Sequence, residues 1–259
     1  MLPWQLASLV FFVYVVLVGD LRPGVPPRAR RRLIACAALG TAIAIAASRM
    51  AADGVANVWI LPPVLLLLGY WTSGQLFVAP MPAAERWLAG VDRALRIHAI
   101  AARTPRPLAE LLELAYVGIY PLILAALWIA MPAGVSAERF WTVLLVVDFV
   151  CFGMLPWIQT RPPRALGIDA PWRSTWRHFN LCVVESSSIG VNTFPSGHAA
   201  EALAVALLLI GAPGLVVAAM FLAAIAVSAG AVLGRYHYAA DAIAGWAVAL
   251  AVYSSFRIS

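Results

Sequence analysis

Stretches of apolar residues long enough to cross a hydrocarbon core recur along almost the whole chain, and they constrain its fold more than any other feature. They fall at about residues 3–19, 33–48, 56–79, 108–131, 140–158, 198–211, 214–233 and 238–255. A hydrocarbon core about 30 Å thick needs roughly 17 to 25 residues of helix, because each residue rises about 1.5 Å. Backbone groups inside lipid must bond to one another, which favours helices. With 63% hydrophobic and 12% charged residues, a soluble domain of 259 residues could not bury this much apolar surface. The expected fold is therefore all-α, a polytopic membrane helical bundle of about eight transmembrane helices. Two stretches, 33–48 and 198–211, are short, and Pro62 and Pro63 interrupt the third. The opening MLPWQLASLVFFVYVVLVGD lacks a basic leader and a small-residue cleavage site, so it reads as a retained first helix.

The polar residues are few and patterned. All eighteen basic residues are arginine and none is lysine, for a formal charge of +6. Arginine grips phosphate with a planar fork. These arginines sit between apolar stretches, not in an aromatic-interleaved soluble patch, which argues against a nucleic-acid partner. Residues 84–102 place Arg86, Arg93 and Arg96 among Trp87, Leu88, Val91, Leu95 and Ile97, as expected of a helix lying on the membrane surface. Cys36, Cys151 and Cys182 are far apart and suggest neither a disulfide framework nor a metal site. The alanine-rich, lysine-free composition points to a GC-rich bacterial genome, and so to a multi-pass protein of the inner cell membrane. With eight spans, fifteen arginines fall on one membrane side and only Arg49, Arg139 and Arg257 on the other, which makes the arginine-rich side cytoplasmic.

Three polar clusters fall on that arginine-rich side: TRPPRAL at 160–166, FPSGHAAE at 194–201 and GRYHYAADAIAG at 234–245. His198 and His237 are 39 residues apart, roughly 58 Å of helix or two crossings, so a helical hairpin returns the second histidine to the face of the first. His237 and Asp241, four apart, share a helix face, so the carboxylate can orient one imidazole nitrogen and leave the other free to attack phosphorus. Arg235 can clamp phosphoryl oxygens. Ser196, Gly197 and His198 open a helix, where unpaired N–H groups favour an anion, and His198 can act as general acid. Arg164, with Arg161 in reserve, offers a second guanidinium. The apolar run after His198 is short for a full crossing, which predicts a site recessed to headgroup depth and open sideways to lipid.

These clusters resemble the signatures of the type 2 phosphatidic acid phosphatase superfamily over about residues 107–255, most specifically at PSGH and R-x-H-x-x-x-D. The resemblance implies a six-helix phosphatase-like core within residues 56–259, preceded by two accessory transmembrane helices in 1–55. It implies His237 as the nucleophile forming a phosphohistidine, Asp241 as its partner, His198 as the acid, and Arg164, Ser196, Gly197 and Arg235 as the phosphate cradle, with no metal or other cofactor. The usual first motif begins with a lysine that this chain lacks. PPR at 162–164 and RYHY at 235–238 look more like the inositol phosphorylceramide synthase branch, which moves a phospho-headgroup to a lipid alcohol. The implied substrate is a phospholipid or an isoprenoid or sphingolipid phosphate among membrane lipids. Superfamily members usually work on the outer or lumenal face, against the arginine count, so the side of the site stays open, as do the acceptor and the oligomeric state.

Glu201, three residues after His198, can tune that histidine or pair with an arginine. Glu113 and Glu110, at the start of the fourth stretch, and Asp148, in the fifth, read as packing partners for tyrosines or arginines, while Tyr116 and Tyr120 can line a headgroup pocket. A different class of function, a non-catalytic carrier relaying protons through His237 and Asp241, would place its site near the midplane between repeats, and no repeat is visible.

Overall fold

The computed structural model describes residues 1–256, so Arg257, counted above, lies outside the described residues. Twelve α-helices form it: α1 (Pro3–Leu21), α2 (Pro27–Ala47), α3 (Leu61–Gly74), α4 (Pro82–Ala94), α5 (Ile97–Arg103), α6 (Arg106–Val117), α7 (Ile119–Ala130), α8 (Ala137–Gly153), α9 (Thr175–Ser187), α10 (Gly197–Leu208), α11 (Gly214–Leu233) and α12 (Ala239–Ser255). No strand occurs among the described residues. Pro62 and Pro63 cannot donate to a helical ladder, and the turn before them, Ala56–Ile60, widens to a π-helix that runs on into α3.

Each of the eight apolar stretches becomes helical, yet the expected eight independent spans are not reproduced. Three helical segments are long and apolar enough to cross a membrane: α1, the continuous run Ala56–Gly74, and α11. A fourth exists if α6 and α7, bent by 67° at Gly118, act as one broken span. Of the remaining stretches, α2 opens on four arginines, α8 and α12 reach 17 residues each, and α10 only 12. Every residue from Ala199 to Leu209 is buried, because α10 sits at the centre of the bundle against α7, α8, α11 and α12. A helix apolar all round and wrapped by other helices has no need to match the lipid thickness. Its alanines at 199, 200, 202, 204 and 206 let those neighbours approach closely.

Around this centre, α11 lies on α6, and α1, α2, α3 and α8 form the other flank. Phe11 of α1 stacks on Phe149 of α8, with centroids 4.3 Å apart and planes 8° apart, so α1 shares the main core. The segment read as a surface helix is broken in two, α4 and α5, at Arg96, whose φ of 54° reverses the chain. Glu85, Leu88 and Asp92 make the buried face of α4, while Arg86, Trp87 and Arg93 point outward. That buried face rests on α12.

A close helix approach occurs at Gly230, where a Cβ would come within 2.3 Å of the Leu112 carbonyl oxygen on α6. Backbone cannot yield as a side chain can, so Gly230→Ala should cost about 1–3 kcal/mol. It should lower the thermal midpoint of the detergent-solubilised protein, whereas Gly211→Ala, which meets nothing within 4 Å, should leave it nearly unchanged.

Candidate active site

The two histidines reach one cavity by different local devices. Ser196 caps α10, its hydroxyl accepting from the Ala199 N–H at 3.4 Å. This leaves the N–H groups of Gly197 and His198 at the helix start without an acceptor among the described residues. At the far end of the hairpin, α11 stops at Leu233 and Arg235 adopts a φ of 65°. The N–H groups of Tyr236 and His237 both turn back to the Ala231 carbonyl, at 3.0 and 2.9 Å. This left-handed C-terminal closure satisfies a carbonyl of α11 and aims His237 back across the bundle.

The rings of His198 and His237 lie 6.2 Å apart, centroid to centroid. Both line a cavity of about 400 Å³, shared with Gly197, Arg164, Tyr120 and Glu201. Asp241 is fully buried behind His237, its Oδ2 3.4 Å from Nδ1. The same oxygen accepts from the Tyr238 N–H at 2.8 Å, which pins the carboxylate to the start of α12. His198 is wedged between two tyrosines: Tyr116 stacks on it at 4.8 Å, and the Tyr120 hydroxyl lies 3.3 Å from Nε2. Tyr116 in turn stacks on Tyr236 at 4.1 Å, continuing an aromatic column from α10 to the loop before α12.

The arginines divide sharply. Arg164 faces the cavity, its guanidinium 5.3 Å from the Tyr236 ring centroid, its Nη1 donating to the Tyr236 carbonyl at 3.4 Å, and no carboxylate pairs with it among the described residues. Arg161 and Arg235 do not line the cavity. Arg161 is bound through both Nε and Nη2 to Glu85, at 3.0 and 2.9 Å; this pairing holds the Glu85 carboxyl below its usual range. Arg235, 2% exposed, is paired with Asp92 at 3.1 Å, while the other Asp92 oxygen accepts from the Ala239 N–H at 2.9 Å. Burial pushes the Asp92 carboxyl up and the Arg235 guanidinium down.

Of the expected cradle, Arg164 and Gly197 line the cavity, while Arg235 and the reserve Arg161 pair with carboxylates of α4 and the Ser196 hydroxyl caps α10. Glu113, expected to pack against tyrosines or arginines, lies in a buried network with Arg177 at 2.9 Å and the Tyr236 hydroxyl at 2.7 Å. No tyrosine or arginine donates to either Asp148 oxygen or to Oε2 of Glu201; Asp148 instead lies against the face of α10 that carries Gly197 and Glu201. Glu110 accepts from the Thr175 and Trp176 N–H groups and so caps α9. His98 and His178 are exposed, away from the cavity. The residues missed in the sequence were Glu85 and Asp92. Their signal was present: two acids seven apart flank Leu88 on one face of an otherwise arginine-rich helix. Among the described residues no three His, Cys, Asp or Glu side chains gather as a metal site.

Removing Asp92 leaves a buried guanidinium without its counter-ion, a loss of about 3–5 kcal/mol. Asp92→Ala should markedly lower the thermal midpoint in detergent, and Arg235→Met in the same background should recover part of it.

No curated protein and no solved structure matches the chain. A family model described as the PAP2 superfamily matches residues 81–255, from just before α4 to the end of α12. The match takes in both histidines, Asp241, Arg164 and the α4 carboxylates that hold the other two arginines. The chain thus belongs to the PAP2 superfamily, whose membership supports a phosphatase-type enzyme acting on phosphate esters.

Proposed function

We propose that the protein is a membrane-embedded lipid phosphatase or phosphotransferase that works through a phosphohistidine on His237. The observation that carries this reading is the meeting of His198, His237 and Arg164 around one cavity, with Asp241 behind the second imidazole. His237 Nε2 attacks phosphorus in line. As the N–P bond forms, the bond from phosphorus to the leaving oxygen breaks, and His198 delivers its proton to that oxygen. Asp241 stabilises the imidazolium character that His237 acquires. In the second step water or an alcohol gives its proton to His198, its oxygen bonds to phosphorus, and the N–P bond breaks.

Charge on the equatorial oxygens is met by Arg164 and by the free N–H groups of Gly197 and His198 at the start of α10. Phosphoryl transfer depends chiefly on such positioning and charge stabilisation. Tyr120 and Tyr116 hold the His198 ring against rotation. The substrate is a phospholipid or an isoprenoid or sphingolipid phosphate, because the cavity wall beyond the histidines is apolar, built from Leu66, Leu67, Phe152, Val183 and Val184. The same wall favours a second outcome of the second step, transfer of the phosphoryl group to a lipid alcohol, since it restricts water and welcomes an alkyl chain.

Incubating the purified protein with lipid phosphates and phosphodiesters, with and without alcohol acceptors, separates the two outcomes: from a lipid phosphate, free phosphate marks hydrolysis and a new phosphomonoester marks transfer; from a phosphodiester, a phosphomonoester marks hydrolysis and a new phosphodiester marks transfer. His237→Ala should abolish both and leave no acid-labile phosphoenzyme in a rapid-quench experiment with labelled substrate; wild-type turnover by this variant would defeat the proposal. His198→Ala should slow turnover about 100- to 10,000-fold. A substrate with a good leaving group, such as an aryl phosphate, should recover much of that loss, because its oxygen needs no proton to depart.

A further inference from the structure

The bundle holds two carboxylates that this chemistry leaves unused. Asp148 of α8 is fully buried and Glu201 of α10 is 4% exposed. Asp148 lies against the face of α10 that carries Gly197 and, four residues on, Glu201, and neither carboxyl enters an ion pair among the described residues. Both Asp148 oxygens and Oε2 of Glu201 lack a donor from any other residue. Two bare charges side by side in an apolar interior would repel strongly, so facing carboxyl groups without a cation hold one proton between them. Such a pair can donate and accept at once.

Its place relative to the histidines gives the pair a use. Glu201 lines the cavity. It follows His198 by three residues, on the same helix face and roughly 4.5 Å further along α10 into the bundle. A lipid whose phosphorus lies between the two imidazoles, with oxygens on the helix start, brings its next few atoms beside Glu201. Asp148 stands directly behind, its Oδ1 3.5 Å from the point where a Cβ on Gly197 would sit. An alkyl or prenyl chain passing this point offers the Glu201 carboxyl no hydrogen bond. A hydroxyl or amide group there does.

Resting on the phosphoryl-transfer reading above, we propose that Glu201, backed by Asp148, is a hydrogen-bonding subsite for an uncharged hydroxyl or amide group that the lipid carries on the tail side of its phosphorus. A hydroxyl there donates to one carboxyl oxygen and accepts the proton that the pair holds. Sites built to bond a polar group reject analogues that lack it, because their own buried groups are then left unpaired.

The test compares two alkyl phosphates of equal chain length, one with a hydroxyl on the carbon next to the phosphate-bearing carbon and one without, using phosphate release by the purified full chain. The unmodified protein should favour the hydroxylated substrate by about 10- to 100-fold in kcat/KM. Glu201→Leu should bring that ratio towards one, while Glu201→Gln, whose amide also donates and accepts, should keep part of it. A packing role alone would change both rates together and leave the ratio where it was. Turnover of both substrates by the unmodified protein without preference overturns the subsite even if no variant folds. A full preference retained by either Glu201→Leu or Asp148→Leu also overturns it. Absence of both phosphate release and, with a lipid alcohol added, phosphoryl transfer from either substrate overturns the phosphoryl-transfer reading itself, and so is a distinct result.

Discussion

The start of α10 is tied to the start of α12 by one backbone hydrogen bond, from the Ser196 N–H to the Asp241 carbonyl at 3.0 Å. The helices come this close because Gly245 lacks a side chain: a Cβ there would fall 2.5 Å from the Ser196 carbonyl oxygen. His198 is the second residue of one helix and His237 lies two residues before the other, so this contact sets the separation of the two imidazoles. The contact is between main chains, in a buried interior where an unpaired N–H is costly, and it holds independently of side-chain rotamers. The central position of α10, wrapped on every side, then fixes the direction in which both rings face.

Electrostatics follow from this packing. Eighteen arginines make the chain basic, but within the site most of that charge is already answered. Glu85 and Asp92 project from the buried face of α4 and take Arg161 and Arg235, and Glu113 takes Arg177. Asp92 also receives the Ala239 N–H, so α4 braces the first turn of α12 and, through it, Asp241. Positive charge in the cavity is therefore concentrated on Arg164 and on the unpaired N–H groups at the start of α10. The carboxylates of α4 act on the chemistry through geometry, not through contact with substrate.

Much of the site could be read from residue spacing. The distance of 39 residues from His198 to His237 matches a helix out and a helix back, and the four-residue step to Asp241 places a carboxylate under one ring. Helix rise carries the first fact; the second differs from the expected shared helix face, since His237 lies before the N-cap of α12 and Asp241 reaches it from that helix's first turn. The roles of Arg161, Arg235, Ser196 and Glu201 were less legible, since each has several partners within reach along the chain. Which partner wins is decided by elements distant in sequence: α4 lies more than seventy residues before the arginines it holds. The number of spans is less legible for a related reason. Hydropathy reports that a segment is apolar, and α10 is apolar because protein surrounds it.

The amino-acid sequence by itself determined that the chain is helical and rich in membrane-compatible segments, that its polar groups gather in three clusters, and that two histidines return to one face. Periods of 3.6 residues and the reach of a helix suffice for these, because they depend only on near neighbours. Tertiary structure alone decided which guanidinium faces the cavity, which carboxylates neutralise the others, and that Asp148 meets Glu201 one turn beyond His198. Those outcomes depend on close packing among helices far apart in the chain, where a single missing Cβ or one competing carboxylate settles which groups touch.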